Sequence, residues 1–170
     1  IDVSIDLHES SPEYPVNNAI VSHERALDLA AIATINLEME GVQINIEPSP
    51  PTLRGLSHRE WGDNTDTLAL LLESPNPAQG RLRGVTDGEL IVGGLDPMYI
   101  KASERGRLHV PYTDEGTPLA MRVARHLASV QVIVESYSML EADRAIGLHG
   151  LPSYDEVLAN GAGAYLNPSK

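Results

Sequence analysis

Cysteine is absent from the 170 residues. Thiolate metal sites, disulfides and a cysteine nucleophile are therefore excluded, and the redox compartment stays open. Phenylalanine is also absent and Trp61 is the only tryptophan, so the chain has no aromatic platform on which bases could stack. Lysine and arginine total 12 against 24 acidic residues, giving a net charge of −12. Phosphate contacts need clustered cations, so nucleic acid and anionic membrane are not expected as partners. No run nears the roughly 18 apolar residues that cross a bilayer. No charged-then-apolar leader is visible. There is no H-E-x-x-H, P-loop, G-x-G-x-x-G or G-x-S-x-G signature. What is present is ordinary globular composition, 42% apolar, over about one domain's length. The expectation is a soluble acidic enzyme, with the cytoplasm as the favoured compartment.

The opening stretch, Ile1 to Glu9, carries the most information. Apolar residues alternate at 1, 3, 5 and 7, the pattern of a half-buried strand. The other face carries Asp2, Ser4, Asp6 and His8. The chain enters this strand at once, without a methionine or polar lead-in. It is therefore expected to begin inside a domain, with part of its site upstream. An apolar alternating edge would expose unpaired backbone, so the strand is expected inside its sheet, with one neighbour on the upstream segment.

The remaining pattern alternates strand and helix. Asn18 to Met39 reads as a helix through Ile20, Leu27, Ala31 and Ile35, stopped by Gly41. Val42 to Ile46 reads as a short strand, and 47–66 as a loop rich in Pro, Gly and charge. Leu68 to Leu72 is a continuous apolar run, as in a central strand buried on both faces. Glycine-rich Asn76 to Pro111 reads as loops with short strands at Glu89 to Val92 and Arg107 to Val110. Thr117 is a good N-cap and Pro118 a good first helical residue. Leu119, Val123, Leu127, Val130 and Val134 then make an apolar stripe, with Arg122, Arg125, His126 and Ser129 opposite. A weak helix spans Tyr154 to Ala159. The fold expected is α/β, a mixed, largely parallel sheet flanked by helices.

Sites in open α/β sheets form at the carboxyl ends of strands, and two residues end such strands here. His8 presents an imidazole suited to a metal or to base chemistry. Glu73 follows five apolar residues; desolvation would raise its pKa and suit it to general-base work. The plainer readings are a locally hydrogen-bonded histidine and a carboxylate that caps its strand or pairs with an arginine. His23 reads as structural or surface and His126 as solvated. The loop Arg54 to Asp63 is dense in functional side chains. Arg54 and Arg59 could clamp a carboxylate bidentately, or the loop could be locked by its own ion pairs.

Asp6-Leu7-His8-Glu9, followed by Pro12-Glu13-Tyr14-Pro15, resembles the third zinc-ligand segment of the zinc carboxypeptidase superfamily. The Asp-Leu-His form is especially similar to its deacylase branch, the succinylglutamate desuccinylase and aspartoacylase relatives. Leu70-Leu71-Leu72-Glu73 is similar to the strand that ends in that superfamily's catalytic glutamate, and the order of elements between the two segments also fits. The resemblance implies a zinc-dependent hydrolase of an amide or peptide bond, represented by the C-terminal portion of its catalytic domain (1–137) with an extension over 138–170. It makes His8 a zinc ligand and Glu73 the catalytic base, with Arg54, His58 and Arg59 as weaker candidates for substrate contact. Its substrate would be a small peptide or an N-acyl amino acid. The family's other zinc ligands would lie upstream, so an N-terminal segment or a second chain of the same enzyme is expected to complete the site. The alternative is a non-catalytic subunit or interaction module of the same fold. A homo-oligomer is left open.

Overall fold

Leu68 to Pro75 organises the molecule. In the computed structural model, which describes residues 1–79 and 88–166, this segment is β4 (Leu68–Pro75), and six of its residues, Ala69 to Leu72 with Ser74 and Pro75, are buried. Its uninterrupted apolar run fits that position, because both faces are covered. On one side lies β1 (Val3–Ser10). On the other lies β2 (Ala19–Ser22), followed by β3 (Asn45–Pro48). The sheet order is β1-β4-β2-β3. β1 and β4 are parallel, β2 and β3 are parallel, and β2 runs antiparallel to β4. The chain is α/β, with a mixed, mostly parallel sheet flanked by helices.

α1 (Leu27–Met39) and α5 (Leu119–Leu140) cover one face of the sheet. Leu29, Ala33 and Leu37 of α1 and Val132, Ile133 and Tyr137 of α5 pack with Ile20, Leu70 and Leu72 in one core. α2 (Ser57–Asn64) packs against β1 and β4. Three further α-helices lie among the described residues: α3 (Gly88–Gly93), α4 (Pro97–Glu104) and α6 (Tyr154–Asn160). α6 packs on α5 and begins with a Ser153–Glu156 capping box, which satisfies two helix-end donors reciprocally. α5 runs to Leu140, past the 137/138 division expected between domain and extension.

Several elements differ from the sequence reading. The helix expected from Asn18 is a strand over its first part. Asn18 takes φ +52°, Ala19 to Ser22 are all buried in the sheet, and the α-helix starts at Leu27. A short apolar run reads equally well as buried strand or buried helix, and here sheet burial decides it. Gly41 does stop the helix, at φ +82°. The N–H of Gly41 donates to Glu38 O at 3.0 Å and that of Val42 to Leu37 O at 2.9 Å. This is a Schellman ending that draws Val42 inward as its apolar contact, which moves β3 downstream of the expected Val42 to Ile46. The supposed loop 47–66 contains α2. The strand expected at Glu89 to Val92 is α3, and Arg107 to Val110 forms no regular element. Gly80 and Gly84 lie outside the described residues. α4 carries the N-cap signal sought elsewhere: the Asp96 carboxylate accepts from Met98 N at 2.9 Å, with Pro97 first in the helix. At α5 the N-cap is Pro118 itself, without a side-chain cap bond.

One positional expectation also changes, on α5. Among the described residues β1 has β4 as its neighbour, and its other edge is where a strand from an upstream segment was expected. Val3 and Ile5 pack on the core, while Leu7 stays half exposed. On α5 the supposedly polar side is buried: Arg122 and Ser129 are each 1% exposed. The helix is covered by α1 and the sheet and also by α6, so both sides are enclosed and a single apolar stripe does not describe it.

Candidate functional site

Parallel pairing sets the geometry. β1 and β4 run in register, so His8 lies beside Glu73 near the carboxyl end of both strands. Paired residues share a face of the sheet, which groups Asp6, His8 and Ser10 with Leu71, Glu73 and Pro75. The alternate residues, Val3 and Ile5 with Leu70 and Leu72, face the core. The same alternation that buries one side therefore delivers an imidazole and a carboxylate to the other.

His8 Nδ1 lies 3.1 Å from Glu73 Oε1 and 3.2 Å from Oε2. The His8 side chain is 57% exposed and that of Glu73 only 13%. Burial raises the Glu73 pKa above its ordinary 4.5. A hydrogen bond and charge from His8, and a hydrogen bond from Ser10, oppose that rise, and the charge of Asp6 adds to it. No hydrogen bond among the described residues engages His8 Nε2. The pair thus joins an accessible imidazole to a partly desolvated carboxylate. One donor set of this kind supplies a metal ligand beside a base; alternatively, the carboxylate orients the imidazole. Catalytic zinc takes three protein ligands and an open position. Among the described residues no group of three or more His, Asp or Glu side chains could hold a metal ion. The residues present therefore fit one ligand and its neighbouring base, and the rest of a zinc site would need donors from elsewhere.

The residues around the pair come from distant parts of the chain. Ser57, at the start of α2, donates to Asp6 Oδ2. Glu9, next to His8, accepts from Arg122 Nε at 2.7 Å and from Asn76 Nδ2 at 2.6 Å. Arg122 also donates to the carbonyls of Thr117 and Ile91, so its buried charge is matched and its donors used. His126 is not solvated as expected. It is partly buried, and burial is the main cause that lowers its pKa. None of these partners was legible in sequence, because Glu9 and Arg122 are 113 positions apart. The one available signal was Ser57-x-x-Glu60, the pattern of a helix start. Here Glu60 Oε1 accepts from Gly55 N at 2.9 Å while Ser57 turns to Asp6.

Arg54, His58 and Arg59 are not gathered with His8 and Glu73. Arg59 is 3% exposed. Its Nε and Nη2 donate to Asp63, both terminal nitrogens donate to Glu24, and Nη1 also reaches Ser49 O. His58 is 2% exposed, with Nε2 bonded to Ser49 Oγ at 2.9 Å. Burial is the main cause that lowers its pKa. Arg54 is exposed and reaches Asp63 through Nη1 at 2.8 Å. His23, structural as expected, lies between Glu24 and Asp63. The loop closes on itself.

The fold and the pair define a class: an α/β protein with a histidine–carboxylate pair at the carboxyl ends of two adjacent parallel strands. Comparison with protein-family models, with curated proteins and with solved structures gives no match. Among the described residues no helix is long and apolar enough to cross a membrane.

Proposed function

We propose that the protein is a zinc-dependent hydrolase of an amide or peptide bond, with a site completed by an upstream segment or a second chain. The observation that carries the reading is the His8–Glu73 pair: side chains 3.1 Å apart, at the carboxyl ends of paired parallel strands, with the carboxylate partly buried and the imidazole open. His8 would be the ligand this chain contributes. Zinc, when bound, supplies Lewis-acid polarisation of the scissile carbonyl and acidifies water. Glu73 takes a proton from the attacking water and delivers it to the leaving amine. Its raised pKa suits both transfers, because a base works best with a pKa near the working pH. Asp6 and Ser57 hold α2 against the site strand. Arg59 and His58 act as positioning residues within that support. Arg54 is the candidate left for substrate contact, since it is exposed and Asp63 engages only one of its nitrogens.

Zinc content and amide hydrolysis are measured on the protein assembled with its upstream segment or partner chain, for the wild type and Glu73→Gln. Glutamine keeps the shape but cannot take a proton. Turnover is expected to fall about 10²–10⁴-fold with zinc retained. Zinc lost in parallel with activity would recast Glu73 as the group that orients His8. An assembled protein that neither holds zinc nor cleaves an amide would favour the non-catalytic module of the same fold.

A further inference from the structure

The His8–Glu73 pair sits where the sheet loses a strand. β2 begins at Ala19, opposite Glu73, while β1 and β4 run on together to Ser10 and Pro75. Among the described residues, the last two rungs, Glu9 with Ser74 and Ser10 with Pro75, have no third strand beside them. Two strands alone are marginal in water. How His8 meets Glu73 therefore depends on what else holds these strand ends.

Side chains alternate along a strand, so Glu9 leaves β1 on the face opposite His8 and meets α5 there. Its two oxygens are divided between two partners. Oε1 accepts from Arg122 Nε at 2.7 Å and Oε2 from Asn76 Nδ2 at 2.6 Å. Asn76 directly follows β4. Its backbone N–H donates to Ser10 O at 2.8 Å, and its Oδ1 accepts from Ala78 N at 2.9 Å. That last bond turns the amide so that Nδ2 faces Glu9. The end of β1 is thus tied to the chain leaving β4 twice, once through the backbone and once through a side chain.

Arg122 anchors the tie. It is 1% exposed, and its Nη1 and Nη2 donate to Thr117 O at 3.0 Å and Ile91 O at 2.8 Å. One guanidinium therefore joins the end of β1 to the start of α5 and to α3. A buried cation needs a counter-charge, and among the described residues Glu9 is the carboxylate that supplies it. Only a carboxylate accepts at both oxygens. Glutamine at this position would turn a donor toward either Arg122 or Asn76, and Asn76 could not flip without losing Ala78 N.

We propose that Glu9, Arg122 and Asn76 are positioning residues: a brace behind the sheet, acting through the β1 backbone, that sets how His8 meets Glu73. An ionised carboxylate only accepts, so the bond from His8 to Glu73 requires the proton on Nδ1 and leaves the lone pair on Nε2. The brace selects that tautomer. Its consequence for turnover rests on the hydrolase reading; its consequence for the imidazole does not.

The test is heteronuclear NMR of the histidine ring nitrogens at one alkaline pH with a chelator present. His8 is assigned by the signal lost in His8→Gln. The wild type is expected to carry its His8 proton on Nδ1. Glu9→Gln and Asn76→Ala should each lower the ratio of the Nδ1–H to the Nε2–H form by about threefold or more, since each loosens the hydrogen bond that favours it. Leu37→Ala is the control for stability alone. It leaves a cavity in the core under α1 and should leave the His8 signal in place. In the assembled enzyme the two brace variants should lower kcat by about tenfold or more with KM and zinc content held, because misplacing a reacting group costs rate. Circular dichroism establishes which variants fold, and either brace variant alone decides. The proposal is overturned if the wild type carries its proton on Nε2 or if folded brace variants keep the wild-type tautomer. It is also overturned if Leu37→Ala shifts the signal as much, or if neither brace variant folds, which would make the trio a stability element. A tautomer shift in a protein that cleaves no amide keeps the brace and removes the hydrolase reading. An active enzyme whose brace variants move neither the ring signal nor kcat does the reverse.

Discussion

Two regions of this molecule are rich in titratable side chains, and they differ in what is left over. In the cluster of His23, Glu24, Arg54, Arg59 and Asp63, the buried groups are answered from within, and the exposed Arg54 keeps donors unused. The Arg59 guanidinium divides its donors between two carboxylates and a carbonyl, and His23 lies between the same two carboxylates. At the His8–Glu73 pair, one imidazole leans on one carboxylate and remains 57% exposed. Density of charge does not distinguish a site from a structural lock. Unused hydrogen-bonding capacity at an accessible place does, because a group with all its partners inside the fold has nothing to offer a ligand.

The sharpest way to break this comparison is to exchange the expected phenotypes. Glu73→Gln should lower turnover about 10²–10⁴-fold and leave the urea midpoint of unfolding unchanged or slightly raised, since it replaces a desolvated carboxylate. Arg59→Met should do the reverse. It leaves two part-exposed carboxylates beside His23 without their guanidinium, which should read as a lowered urea midpoint with unchanged zinc content. If Arg59→Met removed activity at full stability, the lock would have to be counted as part of the site.

Gly62→Ala probes the same lock sterically. A Cβ at Gly62 would collide with the His23 ring, so α2 must lift or the ring must turn. Overpacking of this kind costs about 1–3 kcal/mol, measurable as a lower thermal midpoint.

Acid should open the cluster as well. The hydrogen bond from Arg59 is the main influence that lowers Glu24 from 4.5 to about 2, and the same guanidinium is the main influence lowering Asp63. A carboxylate with a depressed folded pKa contributes stability above its unfolded value and loses that contribution as pH falls toward its folded one. The thermal midpoint should therefore decline between about pH 4.5 and pH 2, and decline less in Arg59→Met. An equal acid response in that variant would place the sensitivity elsewhere.

The smallest effect is expected of Arg54→Ala. Its ion pair with Asp63 is exposed, and such pairs add little to stability. The melting temperature should hold, while KM rises if Arg54 meets the substrate. An unchanged KM would remove the last loop residue from the substrate proposal.

Much of this was visible in sequence, for local reasons. The period-2 pattern of residues 1 to 7 and the unbroken run Leu68 to Leu72 fixed two strands, because a pleated backbone sorts side chains by face and a central strand is apolar on both. Gly41 marked the end of α1 because the Schellman turn needs a left-handed residue. The candidates His8 and Glu73 followed from their places at strand ends. Other features were not visible. Ala19 to Ser22 is apolar enough for either helix or strand, and only its place between β3 and β4 makes it a strand. Arg122 looked like a solvent-facing residue until Glu9, from the far end of the chain, met it in the interior. Arg59 looked like a substrate clamp until Glu24 and Asp63 used its donors.

The sequence by itself determined the fold class, the two strands of the site and the identity of the pair, since each follows from periodicity and chain order within short segments. Only the tertiary structure decided which groups were already matched and which were left over: Arg59 closed, Arg122 closed, His8 open. Matching a charge needs a partner at hydrogen-bond distance, and that distance is set by packing between elements tens of residues apart, which no local pattern encodes.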